Sequence, residues 1–354
     1  MSTGRRSAGA AHRRWADHVS WRGWWRAAGS VLLLVSAGAA GDGQPAGWNR
    51  PALDALLDYA RDQRSSALLI RQGGGIVAER YWTPEAGRPG LYRNLVGAEP
   101  AIGGGPVEDV ASLQKSVVAV MVGMAEARGL LSLNDAVSAH LGAGWSKAPV
   151  EQERAILVRH LLSMASGLTP ALEFEAPAGT RWRYNTRAYS RLLDVLEAAA
   201  GEDVASLTRA WITGPLGMTD TGWRRRPWVT ADMDANPLGL YASAADLARL
   251  GELVLGQGSW QGDQLVPADY LRGALQPSQP HNPAYGYLWW LNGRPLRTAP
   301  GDSGHDTLAP AAPGDLAAAQ GALGRKVYVV PSLDLVVVRL GDAPDADFDR
   351  VLWQ

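Results

Sequence analysis

Apolar residues along this chain recur first with a helical period, then with a strand period, then with the helical one again. From Pro51 to Arg64, Leu53, Leu56, Leu57, Tyr59 and Ala60 fall mostly on one face, which predicts a helix. A hairpin follows. Ala67-Leu68-Leu69-Ile70 is a short apolar strand, Gln72-Gly73-Gly74-Gly75 a turn in which glycine accepts positive φ, and Ile76 to Trp82 the returning strand. A Gly/Pro-rich loop around 97–106 leads into Ser112 to Arg128, which is apolar nearly all round and predicts a helix buried on most faces. Helical patterns continue over 151–165, 187–200, 203–213 and 243–256, the last with a stripe of Ala244, Leu247, Leu250, Leu253 and Val254. Tyr285–Leu291, Arg325–Val330 and Leu335–Leu340 read as strands, Pro331 to Asp334 as a turn, and 345–354 as a closing helix. Strands at both ends with helices between predict an α+β fold with a helical insertion. The expected division is a sheet domain from 41–110 and 257–354 and a mostly helical domain over 111–256.

Composition narrows the function classes. The formal net charge is −1, so no strong field draws in nucleic acid or a membrane surface. The first 40 residues hold six arginines and one acid, Asp17; without them 28 basic and 34 acidic residues remain, a net charge of −6. There is no cysteine, which excludes disulfides, thiolate catalysis and Cys-ligated zinc. The six histidines (12, 18, 140, 160, 281, 305) show no H-x-x-x-H or H-E-x-x-H spacing, so a catalytic metal is not expected, and no other cofactor is expected. At the N-terminus, Arg22 and Arg26 precede Val31-Leu32-Leu33-Leu34-Val35, and Ala37-Gly38-Ala39 fits a cleavage site before Ala40. Residues 1–40 are therefore expected to be a signal segment for export to the periplasm or medium; read instead as a plain extension, they leave the protein cytoplasmic. The run is too short to span a bilayer, and no later stretch is long and apolar enough.

The candidate chemistry begins at Ala111-Ser112-Leu113-Gln114-Lys115-Ser116. Lysine is scarce here, with only Lys115, Lys147 and Lys326, yet one stands at the head of the most apolar helix. Burial penalises an ammonium, which makes such a lysine a usable base. Residues three apart share a helix face, so Ser112 and Lys115 can meet. Ser112 also lies where the helix begins, and its backbone N–H is one of the unsatisfied donors that can hold an oxyanion. The same spelling also suits a capping serine and a lysine that snorkels to water.

Two further segments join it. In Pro177 to Tyr189, Tyr184 is a candidate second proton carrier if a cation such as Lys115 stands near it; the segment equally suits an aromatic core cluster with a helix cap at Asn185 or Thr186. Gly321-Ala322-Leu323-Gly324-Arg325 precedes a strand. Its glycines permit close backbone approach to a substrate, with an N–H to complete an oxyanion hole, or simply form a turn.

In order and spacing these three elements resemble the serine β-lactamase and penicillin-binding protein superfamily, most of all its esterase and 6-aminohexanoate-dimer hydrolase branch. His160–Leu168, Pro215–Thr221, Gly239–Ala248, Tyr285–Trp290 and Tyr328–Pro331 resemble it too, so the likeness covers roughly residues 50 to 345. The resemblance implies a β-lactamase/transpeptidase-like α+β fold: an antiparallel sheet flanked by helices, plus a mostly helical second domain. It implies acylation of Ser112, a proton held by Lys115, and a proton relay through Tyr184. Substrate and oxyanion contacts would come from Asn185, Thr186, Ala322, Gly324 and Arg325. Two positions depart from the pattern. The third residue of Y-x-N is Thr186, with Asn185 in the middle, and the K-T-G or H-x-G element reads Ala322-Leu323-Gly324. Loss of that cation argues for a small ester or neutral amide over a β-lactam, unless Arg325 or Lys326 compensates. A hydrolase-like binding protein without turnover, or a true β-lactamase or DD-peptidase, are the rival readings. The sequence specifies no oligomeric state.

Gly301-Asp302-Ser303-Gly304 spells a chymotrypsin-type motif, but the long helices contradict a double β-barrel, and it reads as a loop with His305 beside it. No G-x-S-x-G elbow is present.

Overall fold

The computed structural model describes residues 47–83, 96–101, 105–230, 233–298, 304 and 307–354. The expected signal segment, His305 and most of the Gly301–Gly304 motif lie outside the described residues.

Helix α1 (Arg50–Asp62) starts where Asn49 caps it, its side chain accepting from the Ala52 N–H, with Pro51 in the first turn, where no N–H is missed. The hairpin β1 (Ser65–Gln72) and β2 (Gly75–Tyr81) turns through Gly73 and Gly74, both at positive φ. Strands β3 (Val96–Pro100) and β4 (Pro106–Asp109) follow, and a single 3-10 turn (Ala111–Leu113) leads into α2 (Gln114–Ala127), on which every residue from Gln114 to Ala125 is buried. Short helices α3 (Val137–Leu141), α4 (Val150–Arg154) and α5 (Val158–Leu162) precede the longer α6 (Thr186–Ala200), which is followed by α7 (Val204–Thr208) and α8 (Gly214–Leu216). Strands β5 (Gly222–Arg225) and β6 (Leu238–Ala242) lead to α9 (Ala244–Leu255), capped by Ser243. The rest comprises β7 (Ser259–Trp260), β8 (Asp263–Gln264), α10 (Ala268–Ala274), β9 (Trp290–Leu291), β10 (Ala317–Gly321), β11 (Arg325–Val330), β12 (Leu335–Gly341) and α11 (Phe348–Leu352).

Six strands form one antiparallel sheet in the order β2-β1-β12-β11-β10-β9; four form a second in the order β3-β4-β6-β5. Side chains alternate across the larger sheet. Ala67, Leu69, Val327, Val329, Val336 and Val338 face the main core with α2 and α9, while Leu68, Ile70, Tyr328, Val330 and Val337 face Leu53 and Leu57 of α1. Both faces are covered, so each fully buried Leu or Val contributes about 1.5–3 kcal/mol of transfer free energy. The fold is the expected α+β type with an antiparallel sheet and flanking helices.

Several local expectations differ from the structure. The loop around 97–106 contains two paired strands, β3 and β4. The pattern over 151–165 breaks into α4 and α5 because residue 157 is extended and bridges Ala136. Tyr285–Leu291 is a strand only at Trp290–Leu291. Upstream, the Gly286 N–H donates back to the Trp289 carbonyl and Leu288 sits at positive φ, so the aromatic run folds into a core knot. The strand β10 was not anticipated, since Ala317-Ala318-Ala319 carries no strand preference. Helix α9, expected with the helical region, packs on β11 and β12.

Candidate active site

The site is built where β4 hands over to α2. Ala111 has φ of +52°, a left-handed conformation that costs a non-glycine residue of the order of 1–3 kcal/mol and therefore needs support. Its N–H donates to Asp109 Oδ1 at 2.8 Å, a local turn that throws the next residue, Ser112, out at the head of the helix. One helical turn on, Lys115 Nζ donates to Ser112 Oγ at 2.9 Å. Lys115 is 3% exposed, so this pairing is held inside the protein rather than in solvent.

Two phenol rings flank the lysine. Its Nζ stands 5.0 Å from the ring centre of Tyr184 and 4.8 Å from that of Tyr189. Such contacts favour a cation over the ring faces. Tyr184 stacks on Trp290 at 6.0 Å and meets Tyr285 edge-on at 6.4 Å. Tyr189 is fully buried on α6, and desolvation pushes its phenol well above the ordinary range, so it acts as a neutral wall. Sequence reasoning named Tyr184 and missed Tyr189, whose helical spacing marks it only as core.

A pocket of about 280 Å³ opens over the pair, lined by Ala111, Ser112, Gln114, Lys115, Thr186, Arg226, Trp228, Met233, Asp234, Ala235, Asn236 and Ala322. Ala322 follows β10, whose last residue, Gly321, lies against the turn that carries Ser112: a Cβ there would sit 2.1 Å from the Val110 carbonyl oxygen and 3.3 Å from the Leu113 nitrogen. Close approach is thus made to the Val110–Leu113 turn, and it carries Ala322 to the pocket.

Of the expected substrate-contact residues, Thr186 and Ala322 line the pocket and three do not. Asn185 is 1% exposed. Its Oδ1 accepts the Ala188 N–H at 3.0 Å and its Nδ2 donates to the Leu168 and Thr169 carbonyls at 2.9 Å each, so its amide is used up capping α6. Gly324 has φ of +71° and lies against Pro344 and Arg339 in the turn between β10 and β11. Arg325 is fully buried and ion-paired with Glu108 at 2.7 Å. Lys326 does not supply the missing cation either. It points to Asp349 and Tyr328, and burial pushes its ammonium down while Asp349 opposes that shift. Among the described residues, no group of three or more acidic or histidine side chains is placed to hold a metal.

The β-lactamase family model matches residues 53–352. An uncharacterised protein of Alkalihalophilus pseudofirmus is 26% identical over 306 residues, 78% of this chain and 84% of that protein. A β-lactamase of Mycobacterium bovis superposes with a TM-score of 0.57 at 20% identity, over 85% of this chain and 95% of that one. A protein described as a 6-aminohexanoate-dimer hydrolase of Bacillus anthracis superposes with a TM-score of 0.59 at 18% identity, over 84% of this chain and 79% of that one.

Proposed function

We propose, from the premise that this chain belongs to the β-lactamase family of serine hydrolases, that it cleaves a small ester or neutral amide through an acyl-enzyme on Ser112. The observation that carries this reading is the 2.9 Å hydrogen bond from Lys115 Nζ to Ser112 Oγ at a pocket wall. Ser112 Oγ attacks the carbonyl carbon and its proton passes to Lys115 Nζ. The oxyanion is held by the backbone N–H groups of Ser112 and Ala322. Collapse of the tetrahedral adduct breaks the bond to the leaving alcohol or amine, which takes its proton from Lys115 through the Tyr184 hydroxyl. Water then releases the acid by the same path in reverse.

Charge supports an ester or neutral amide. Two basic side chains line the pocket. Lys115 is bonded to the nucleophile, and Arg226 is committed to Asp109, the Asn236 carbonyl and Gln114. Ala322 brings no charge where penicillin-active relatives carry one. A substrate carboxylate would meet Asp234 in this pocket and no free cation among its described lining residues.

The test is hydrolysis of p-nitrophenyl acetate and butyrate by the full chain, with fluorophosphonate labelling located by mass spectrometry and a chromogenic cephalosporin for comparison. Turnover of the esters, a phosphonate on Ser112, and background rates for Ser112→Ala and Lys115→Ala are expected. Full activity in Ser112→Ala sinks the assignment. Inertness to esters, a nylon-type amide and the fluorophosphonate favours a binding protein, and preferred turnover of the cephalosporin favours a β-lactamase.

A further inference from the structure

We infer that the buried Asp109–Arg226 ion pair, together with Gln114, is the device that positions Ser112 for attack. This rests on the acyl-serine reading above, and neither its distances nor its burial are needed by that reading.

The pair is bidentate: Arg226 Nε donates to Asp109 Oδ2 at 2.5 Å and Nη2 to Oδ1 at 2.6 Å. Both side chains are buried, at 6% and 0% exposure. The remaining guanidinium contacts are fixed as well. Nη1 donates to the Asn236 carbonyl at 2.9 Å and Nη2 to Gln114 Oε1 at 2.9 Å. Gln114 Oε1 also accepts the Leu240 N–H at 3.2 Å, and its Nε2 donates to the Leu238 carbonyl at 3.2 Å. Strand β6 leaves no slack behind the pair, since a Cβ on Gly239 would lie 2.6 Å from both Arg226 Nε and Asp109 Oδ2.

Ser112 is therefore gripped on both sides. Asp109 holds the strained Ala111 before it, and Gln114 anchors the first turn of α2 after it. Stability alone does not call for this arrangement, because a buried ion pair is often matched or exceeded by apolar residues of the same volume. The pair supplies what apolar residues cannot: a directional acceptor for the Ala111 N–H. It also supplies a guanidinium that neutralises the carboxylate three residues before the nucleophile. An unneutralised carboxylate there would oppose the oxyanion that forms at the Ser112 N–H. Arg226 is a positioning residue in this account and makes no contact with the reacting atoms.

The experiment compares wild type with Arg226→Lys, Asp109→Asn and Gln114→Met. It reads kcat and KM for p-nitrophenyl butyrate, the second-order rate of fluorophosphonate labelling at Ser112, and the thermal midpoint. Lysine keeps a positive charge but cannot chelate the carboxylate. Asparagine keeps an acceptor for Ala111 but leaves Arg226 without its counter-charge. In variants folded at the assay temperature, kcat and labelling are expected to fall together about 30- to 100-fold, with KM within about threefold, the signature of lost alignment. Gln114→Met leaves the ion pair intact and carries the test should the other two fail to fold; its expected loss is about tenfold. Folded variants with lower midpoints but wild-type kcat and labelling overturn the proposal and leave the pair as fold support only. A wild type that is not labelled at Ser112 is a different result: the acyl-serine reading fails first, and the positioning role with it.

Discussion

Replacing Gly321 with alanine tests the second half of the proposed oxyanion site without removing a polar group. Gly321 has φ of −124° and ψ of 164°, a conformation open to any residue, so its torsions do not demand glycine. The demand is steric. The added methyl would lie 2.1 Å from the Val110 carbonyl oxygen, whereas an unforced carbon–oxygen contact needs about 3.3 Å, so a separation of about 1 Å must open. The obstacle is backbone on both sides, and no flexible side chain can swing away. Strand β10 retreats from the nucleophile turn and takes the Ala322 N–H with it. A displacement of 1 Å costs about 10²-fold in rate, close to the loss of a single oxyanion donor, which corresponds to about 3 kcal/mol of transition-state stabilisation. The assay is kcat for p-nitrophenyl acetate beside the fluorophosphonate labelling rate, with Gly273→Ala as control because a Cβ there meets nothing within 4 Å. Both rates should fall about 100-fold in Gly321→Ala and stay level in the control. A Gly321→Ala protein with lowered thermal midpoint and undiminished kcat would refute the idea that β10 sets the oxyanion geometry.

Other outcomes follow from the same structure. His160 accepts the Leu157 N–H, and burial, aided by the Arg159 charge, lowers its pKa to about 4 from 6.5. The unfolded chain therefore takes up a proton below pH 6.5 that the folded one refuses until about pH 4, so this contribution is complete above pH 6.5 and lost as pH falls through that window. About 1–3 kcal/mol is at stake, and His160→Asn should flatten the fall in thermal midpoint between pH 7 and pH 4.5. Glu108→Gln removes the counter-charge of the fully buried Arg325 and should cost about 3–5 kcal/mol, read by calorimetry. Asn185→Ala removes a helix cap and two further hydrogen bonds; it should lower stability by about 2–3 kcal/mol while KM for the esters stays unchanged, since its amide faces no substrate.

Much of the site was readable because its members are neighbours in sequence. Ser112 and Lys115 share a helix face by spacing alone, and scarcity of lysine singled out the second. The first hairpin and helices α1, α6 and α9 followed from periodicity, since each buries one face against a continuous core. What escaped has a common cause. Arg226 meets Asp109 across 117 positions, and nothing local in Arg224-Arg225-Arg226 says which arginine turns inward. Asn185 and Thr186 were both candidates, and only the fold shows that the first spends its amide on the backbone and the second faces the pocket. The strand β10 reads Ala-Ala-Ala-Gln-Gly, and its last residue is glycine where it passes close to the Val110–Leu113 turn; such small residues carry no strand signal.

The pairing of β1 with β12 also bears on how the chain is made. Leu69 of β1 sits opposite Val338, and Ile70 opposite Val337, so the first buried strand to leave a ribosome pairs at once with β2 but finds its second partner only when the last tenth of the chain has appeared. Until then one edge of an apolar strand stands open, an invitation to pair with another molecule. Loop closure over so long a separation is slow to gain its reward, which marks this sheet as the late, aggregation-exposed step of folding. A circular permutant that joins Gln354 to residue 47 and opens the chain at an exposed turn, such as that around Gly262, would bring the two strands close in sequence. It should refold faster and with less loss to aggregate than the native order.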